Sequence, residues 1–141
     1  MKRKGFTLVE LMVVLVIIAI ISMIGFGGIA LVQQNVKKSL WQGKIDMIES
    51  GAQLYGEDNK NRLNGTCTVN GVTKVACTTI SVQYLLDNNY VTTDEKDEAG
   101  NEVIINESLP EDNANYYANN LEVFVYLENN TVHAKLNYEE S

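Results

Sequence analysis

The sequence predicts an α+β protein: one long N-terminal helix whose outer half packs on a small antiparallel β-sheet. Three observations point there. Residues 6–32 are almost entirely apolar, with Thr7, Glu10 and Ser22 as the polar interruptions. Further on, Trp41, Ile45, Ile48, Ala52 and Tyr55 recur at steps of four, three, four and three, which is one face of an amphipathic helix. Near the C-terminus, Leu121–Leu127 alternates apolar and polar over part of its length, and Thr131–Leu136 alternates again after the turn Glu128-Asn129-Asn130. A chain of 141 residues has room for one modest domain and one membrane segment.

The first element is the apolar run, preceded by Lys2, Arg3 and Lys4. A secretory signal peptide has a shorter apolar core, roughly 7–15 residues, closed by a small-residue cleavage site that is missing here. The run is nearer the ~20 residues that cross a bilayer as a helix. The basic cluster would keep the N-terminus cytoplasmic and send the remainder outside, an asymmetry that Lys37 and Lys38 weaken. Glu10 does not suit an ordinary anchor. A carboxylate in an apolar span costs about 2.5–3.5 kcal/mol at the bilayer centre, less near an interface, and calls for a partner. Neither Lys nor Arg lies within the run to serve. A chain cut just before Phe6 would offer a new α-amino group.

Lys2-Arg3-Lys4-Gly5 followed by Phe6-Thr7-Leu8-Val9-Glu10-Leu11 resembles the cleavage motif of type IV prepilins and pseudopilins. The resemblance implies a leader over residues 1–5, removed by a prepilin peptidase between Gly5 and Phe6, with N-methylation of Phe6 by the same enzyme. It implies that Glu10 directs assembly by pairing with the N-terminal amine of a neighbouring subunit. The implied partners are further copies in a homo-polymer, an assembly ATPase and an inner-membrane platform protein. The resemblance is close over about the first thirty residues and architectural beyond them. Where many family members carry proline, this chain reads Gly25-Phe26-Gly27-Gly28. Each helical glycine costs ~1 kcal/mol relative to alanine, so the stretch is either a soft spot or a close-packing surface.

The expected organisation is a leader at 1–5, a transmembrane and filament-core helix at 6–32, and a head at 33–141. The helix continues to about residue 58, with Gly56, Asp58 and Asn59 as stop signals. Gln42, Lys44, Asp46 and Glu49 fall on its polar sides. Thr68–Thr73 reads as a hairpin turning at Asn70-Gly71 in type I′ geometry. Ile80, Val82, Leu85 and Leu86 suggest a short helix, Thr92–Gly100 an acidic loop, and Val103-Ile104-Ile105 a brief strand. The last two strands complete an antiparallel sheet laid across the helix, which is the pilin type of head.

Composition bounds the chemistry. Net charge is −7, and removing residues 1–5 leaves eight basic against eighteen acidic residues, or −10. Such a head repels phosphate backbones, so direct nucleic-acid binding is not expected. Cys67 and Cys77 fit no zinc spacing and suggest a disulfide in an oxidising compartment, worth on the order of 3 kcal/mol, with free buried thiols as the alternative. His133 reads as a surface residue, and no catalytic set, phosphate loop or cofactor motif stands out. The run Asp94–Asn101 could gather oxygens around calcium, but it lacks EF-hand spacing and reads as a solvated loop. No metal or cofactor is expected, and no enzymatic activity. The expected function is a structural pilin of a surface type IV pilus serving adhesion, twitching motility or biofilm formation. Its rivals are a pseudopilin of a type II secretion or competence DNA-uptake machine and a monomeric anchored binding protein.

Overall fold

The computed structural model describes residue 5 and residues 7–139, the side chains of 24–28 excepted. The elements run α1 (Leu8–Asp58), β1 (Gly65–Val69), β2 (Val72–Ser81), α2 (Val82–Asp87), β3 (Glu122–Glu128) and β4 (Thr131–Leu136). Two compact units divide the chain, Met1–Lys37 and Lys38–Ser141. A long N-terminal helix and a small antiparallel sheet are therefore present. Phe6 lies outside the described residues. The glycine-rich stretch 25–28, expected as a soft spot or a close-packing surface, is helical within α1, and its side chains are not described.

In the second unit the sheet order is β1-β2-β3-β4, every pair antiparallel. Two tight turns set the register. Asn70 and Gly71 both have positive φ (50° and 78°), as a type I′ turn requires, and β1 folds back on β2 with Val69 opposite Val72. Asn129 and Asn130 (φ 53° and 62°) make the equivalent turn between β3 and β4, with Glu128 opposite Thr131. Asn is the side chain that best tolerates this left-handed region after Gly. Cys67 and Cys77 form a disulfide across the first hairpin.

The core lies between α1 and the sheet. Trp41, Ile48, Ala52 and Tyr55 of α1 are buried with Val82, Leu85 and Leu86 of α2, and with Val123, Val125, Val132 and Leu136 of the sheet. Burying each large aliphatic side chain contributes roughly 1.5–3 kcal/mol. Two glycines set how closely the layers approach. A Cβ on Gly51 would stand 2.5 Å from the Tyr90 carbonyl oxygen and 2.4 Å from a Val91 methyl. One on Gly56 would stand 2.5 Å from Val132 and 2.6 Å from Val125. Gly56 is thus a packing residue inside α1, not the stop signal expected of it. The helix ends two residues later, where the Asn59 amide donates to the Tyr55 carbonyl (2.9 Å) and satisfies one orphan acceptor.

Several expectations are corrected by long-range contacts. Ile80 belongs to β2, opposite Val123, and α2 starts at Val82 with Ser81 accepting the Tyr84 N–H (3.1 Å). Val103-Ile104-Ile105 makes no regular strand. Its backbone is satisfied piecemeal: Val103 N–H by the Glu95 carbonyl, Ile104 N–H by the Asn119 side chain, Ile105 N–H by the Glu95 carboxylate. Isolated bridges Lys96–Glu102 and Ile105–Tyr117 replace a ladder. Lys44 and Glu49 are half-buried rather than on solvated sides. Lys44 donates to the Glu95 carboxylate (2.5 Å) and to the Ile105 carbonyl (2.7 Å), while Glu49 accepts the Leu136 N–H (3.0 Å). His133 stacks on Tyr126 with centroids 5.4 Å apart, so one face of the imidazole is covered.

Candidate functional site: the N-terminal processing and assembly segment

Gly5 is exposed and non-helical, and a Cβ placed on it would meet nothing within 4 Å. Thr7 is also non-helical, and its carbonyl accepts the Leu11 N–H (3.1 Å), which makes it the N-cap of α1. The Thr7 hydroxyl oxygen accepts the Glu10 N–H at 3.3 Å. In return a Glu10 carboxylate oxygen accepts from the Thr7 N–H and hydroxyl, each at 3.3 Å. This is the reciprocal capping box of a Thr-x-x-Glu sequence. The negative charge also lies in the first turn, where the helix dipole favours it.

The capping box was missed in the sequence reading, which sought a cation for Glu10. Its signal is plain in retrospect: Thr7 stands three residues before Glu10 at the head of an apolar run. Among the described residues the carboxylate is thus held by the neutral donors of Thr7 and the helix dipole.

From Leu11 to Met23 the helix is apolar on every side, Ser22 excepted. Leu8, Val9, Leu11 through Ile18, Ile20, Ile21 and Met23 are all exposed in this unit. A helix with no polar face needs apolar surroundings. The Ser22 hydroxyl donates to the Ile18 carbonyl (2.7 Å), so it needs no outside partner. Among the described residues no helix is long and apolar enough to cross a membrane. The apolar stretch with described side chains stops at Met23, short of the ~20 residues of a helical span, and the expected span at 6–32 runs through the positions that are not described.

The second unit holds the disulfide and the acidic loop. The Asp97 carboxylate accepts the N–H groups of Ala99 (2.9 Å) and Asn101 (2.8 Å) and the Asn101 amide (3.0 Å). The Asn101 side chain above all, then the backbone donors, hold its pKa below the ordinary carboxylate value. Glu128 pairs with Lys74, which lowers its pKa in the same way. Among the described residues no group of three His, Cys, Asp or Glu is placed to hold a metal ion.

The first unit is thus an apolar stem helix with an exposed glycine just ahead of it. Residues 1–26 match the family model described as the prokaryotic N-terminal methylation motif. The chain resembles type IV prepilins and pseudopilins over this segment, under a fifth of its length. It is similar to the ComG operon protein 3 homolog of Bacillus licheniformis, 31% identical over 62 residues. The alignment takes in 44% of this chain and 64% of that relative, less than two thirds of the relative's length. No solved structure matches the chain.

Proposed function

We propose that the chain is a structural subunit of a type IV pilus, polymerising through its N-terminal helix after cleavage between Gly5 and Phe6. The observation that carries this reading is the Gly5-Phe6-Thr7-Leu8-Val9-Glu10 motif at the head of a helix apolar on every side. Before assembly the helix spans the membrane, N-terminus cytoplasmic and head outside. A prepilin peptidase hydrolyses the Gly5–Phe6 bond, and Phe6 becomes a methylated N-terminal amine. Glu10 then exchanges the neutral donors of Thr7 for that amine on a neighbouring subunit. The amine adds a direct attraction between opposite charges, strong in apolar surroundings, that the neutral donors of Thr7 lack, so the exchange favours assembly. An assembly ATPase and a platform protein drive extraction from the membrane, and the stems bundle with burial of their apolar surface. The filament serves adhesion, twitching motility or biofilm formation.

The similarity to a ComG operon protein favours a second reading, a pseudopilin of a competence DNA-uptake machine, with a type II secretion pseudopilus beside it. In that setting the acidic head leaves nucleic-acid capture to another component. Deletion of the chain, scored for surface filaments, motility and transformation, separates the two. Loss of long sheared filaments together with adhesion or twitching supports the pilus. Loss of transformation or secretion with no sheared material supports the pseudopilus. Retention of all these properties overturns both.

A further inference from the structure

A cleft of about 420 Å³ opens on the head, walled by α2, by residues 97–103 and by residues 117–120. That volume falls within the roughly 300–1,000 Å³ of small-molecule sites. Asn119, only 7% exposed, anchors it. Its side-chain oxygen accepts the Ile104 N–H (2.9 Å), and its amide donates to Gln83 (2.7 Å) and to the Glu102 backbone carbonyl (3.0 Å). Gln83 is held in turn by Asp87 (2.8 Å), and Asn101 by Asp97 (3.0 Å). These walls are set before any ligand arrives, which lowers the ordering cost of binding. Other groups on the cleft are left over. The Tyr117 hydroxyl, the Asn120 amide and the Glu102 carboxylate make no hydrogen bond among the described residues. Tyr117 is 38% exposed, and its ring is braced edge-on by Tyr116.

We infer that this cleft binds a neutral saccharide. The inference goes beyond the filament reading and does not depend on it. Asp97 and Glu102 put negative charge on the cleft, and no Lys, Arg or His is among the described residues that line it, so an anionic ligand is repelled. An apolar ligand would bury the amides and carboxylates without partners. A bare cation would pair with the carboxylates and leave the amide N–H groups unmatched. A sugar hydroxyl both donates and accepts, so one ligand satisfies carboxylate oxygens and amide N–H groups together. Donation to Glu102 is the stronger contact, because that acceptor is charged. The exposed Tyr117 ring gives the C–H face of a pyranose an apolar wall to lie on, and its hydroxyl adds a further polar partner.

The test is an NMR titration of the isotope-labelled full-length chain in dodecylphosphocholine micelles, a detergent with no sugar headgroup. The probes are lactose and diacetylchitobiose, with sialyllactose and calcium chloride as charged comparators. The expected result is saturable movement of the Asn101 and Asn120 side-chain amide resonances with a neutral disaccharide and none with the charged comparators. Tyr117→Ala should weaken that binding about tenfold. Asn120→Ala, read from the Asn101 amide, should weaken it roughly fivefold. The Asn120 side chain is exposed and without a partner among the described residues, so its removal leaves the thermal midpoint unchanged and decides the matter even if Tyr117→Ala unfolds the head. Stationary amide resonances with both disaccharides overturn the assignment. Equal movement with sialyllactose, movement with calcium alone, or undiminished binding by the Asn120 variant overturns it too. None of these outcomes bears on the filament reading, which the N-terminus at Phe6 tests separately.

Discussion

At the residue scale, Thr7 and Glu10 determine where α1 begins. Their box leaves Gly5 outside the helix and supplies Glu10 with the neutral donors of Thr7. Thr7→Ala removes the N-cap, which costs about 0.5–2 kcal/mol of local helix stability. Amide exchange at Leu8–Leu11 in detergent-solubilised chain should quicken severalfold, and unchanged exchange would mean the box does not hold the first turn. On the proposed function, Glu10→Ala removes the assembly contact and leaves the cleavage bond in place. It should give a processed, membrane-inserted chain absent from sheared filaments. Asp97 offers a pH prediction. Its folded pKa is depressed, so the turn it holds is supported above the unfolded carboxylate pKa of about 4 and released as pH falls through the lower folded value. The Asn101 amide resonance should move as pH falls below that point, and Asp97→Asn should abolish the movement.

At the element scale, the glycines of α1 divide by what faces them. Gly51→Ala or Gly56→Ala forces a methyl into space already filled, which should destabilise the head by about 1–3 kcal/mol. Gly43→Ala meets nothing and gains helix propensity of up to ~1 kcal/mol, so its thermal midpoint should rise. Opposite signs in thermal unfolding check the layer spacing directly. The sequence does not distinguish these glycines, because what fills the space beside them comes from Val91, Val125 and Val132, far along the chain. The stripe from Trp41 to Tyr55 and the turns at Asn70-Gly71 and Asn129-Asn130 were legible, since periodicity and turn chemistry are local. Lys44, Glu49 and Asn119 were not, because their partners lie 51, 87 and 15 positions away. In the candidate site the cleavage motif was legible as a motif. The capping role of Glu10 was equally local, and it was passed over in the search for a cation.

At the scale of the whole molecule, one unit is an apolar stem and the other a folded head closed by its own core and a disulfide. Breaking that bridge with Cys67→Ser should cost the head on the order of 3 kcal/mol, read as a lowered denaturation midpoint. The stem is different in kind. Its apolar side chains find no cover within the described part of their own unit, and on the proposed function lipid first and sister helices later supply it. That division ties an acidic, self-contained head to a helix that needs apolar company, and on the proposed function removal of residues 1–5 would mark the passage from one surrounding to the other. The direct test is mass spectrometry of the N-terminus on chain recovered from cells and from sheared surface material. The account predicts a chain beginning at methylated Phe6, present in the sheared fraction. A chain retaining Met1 and found in membranes alone would contradict it.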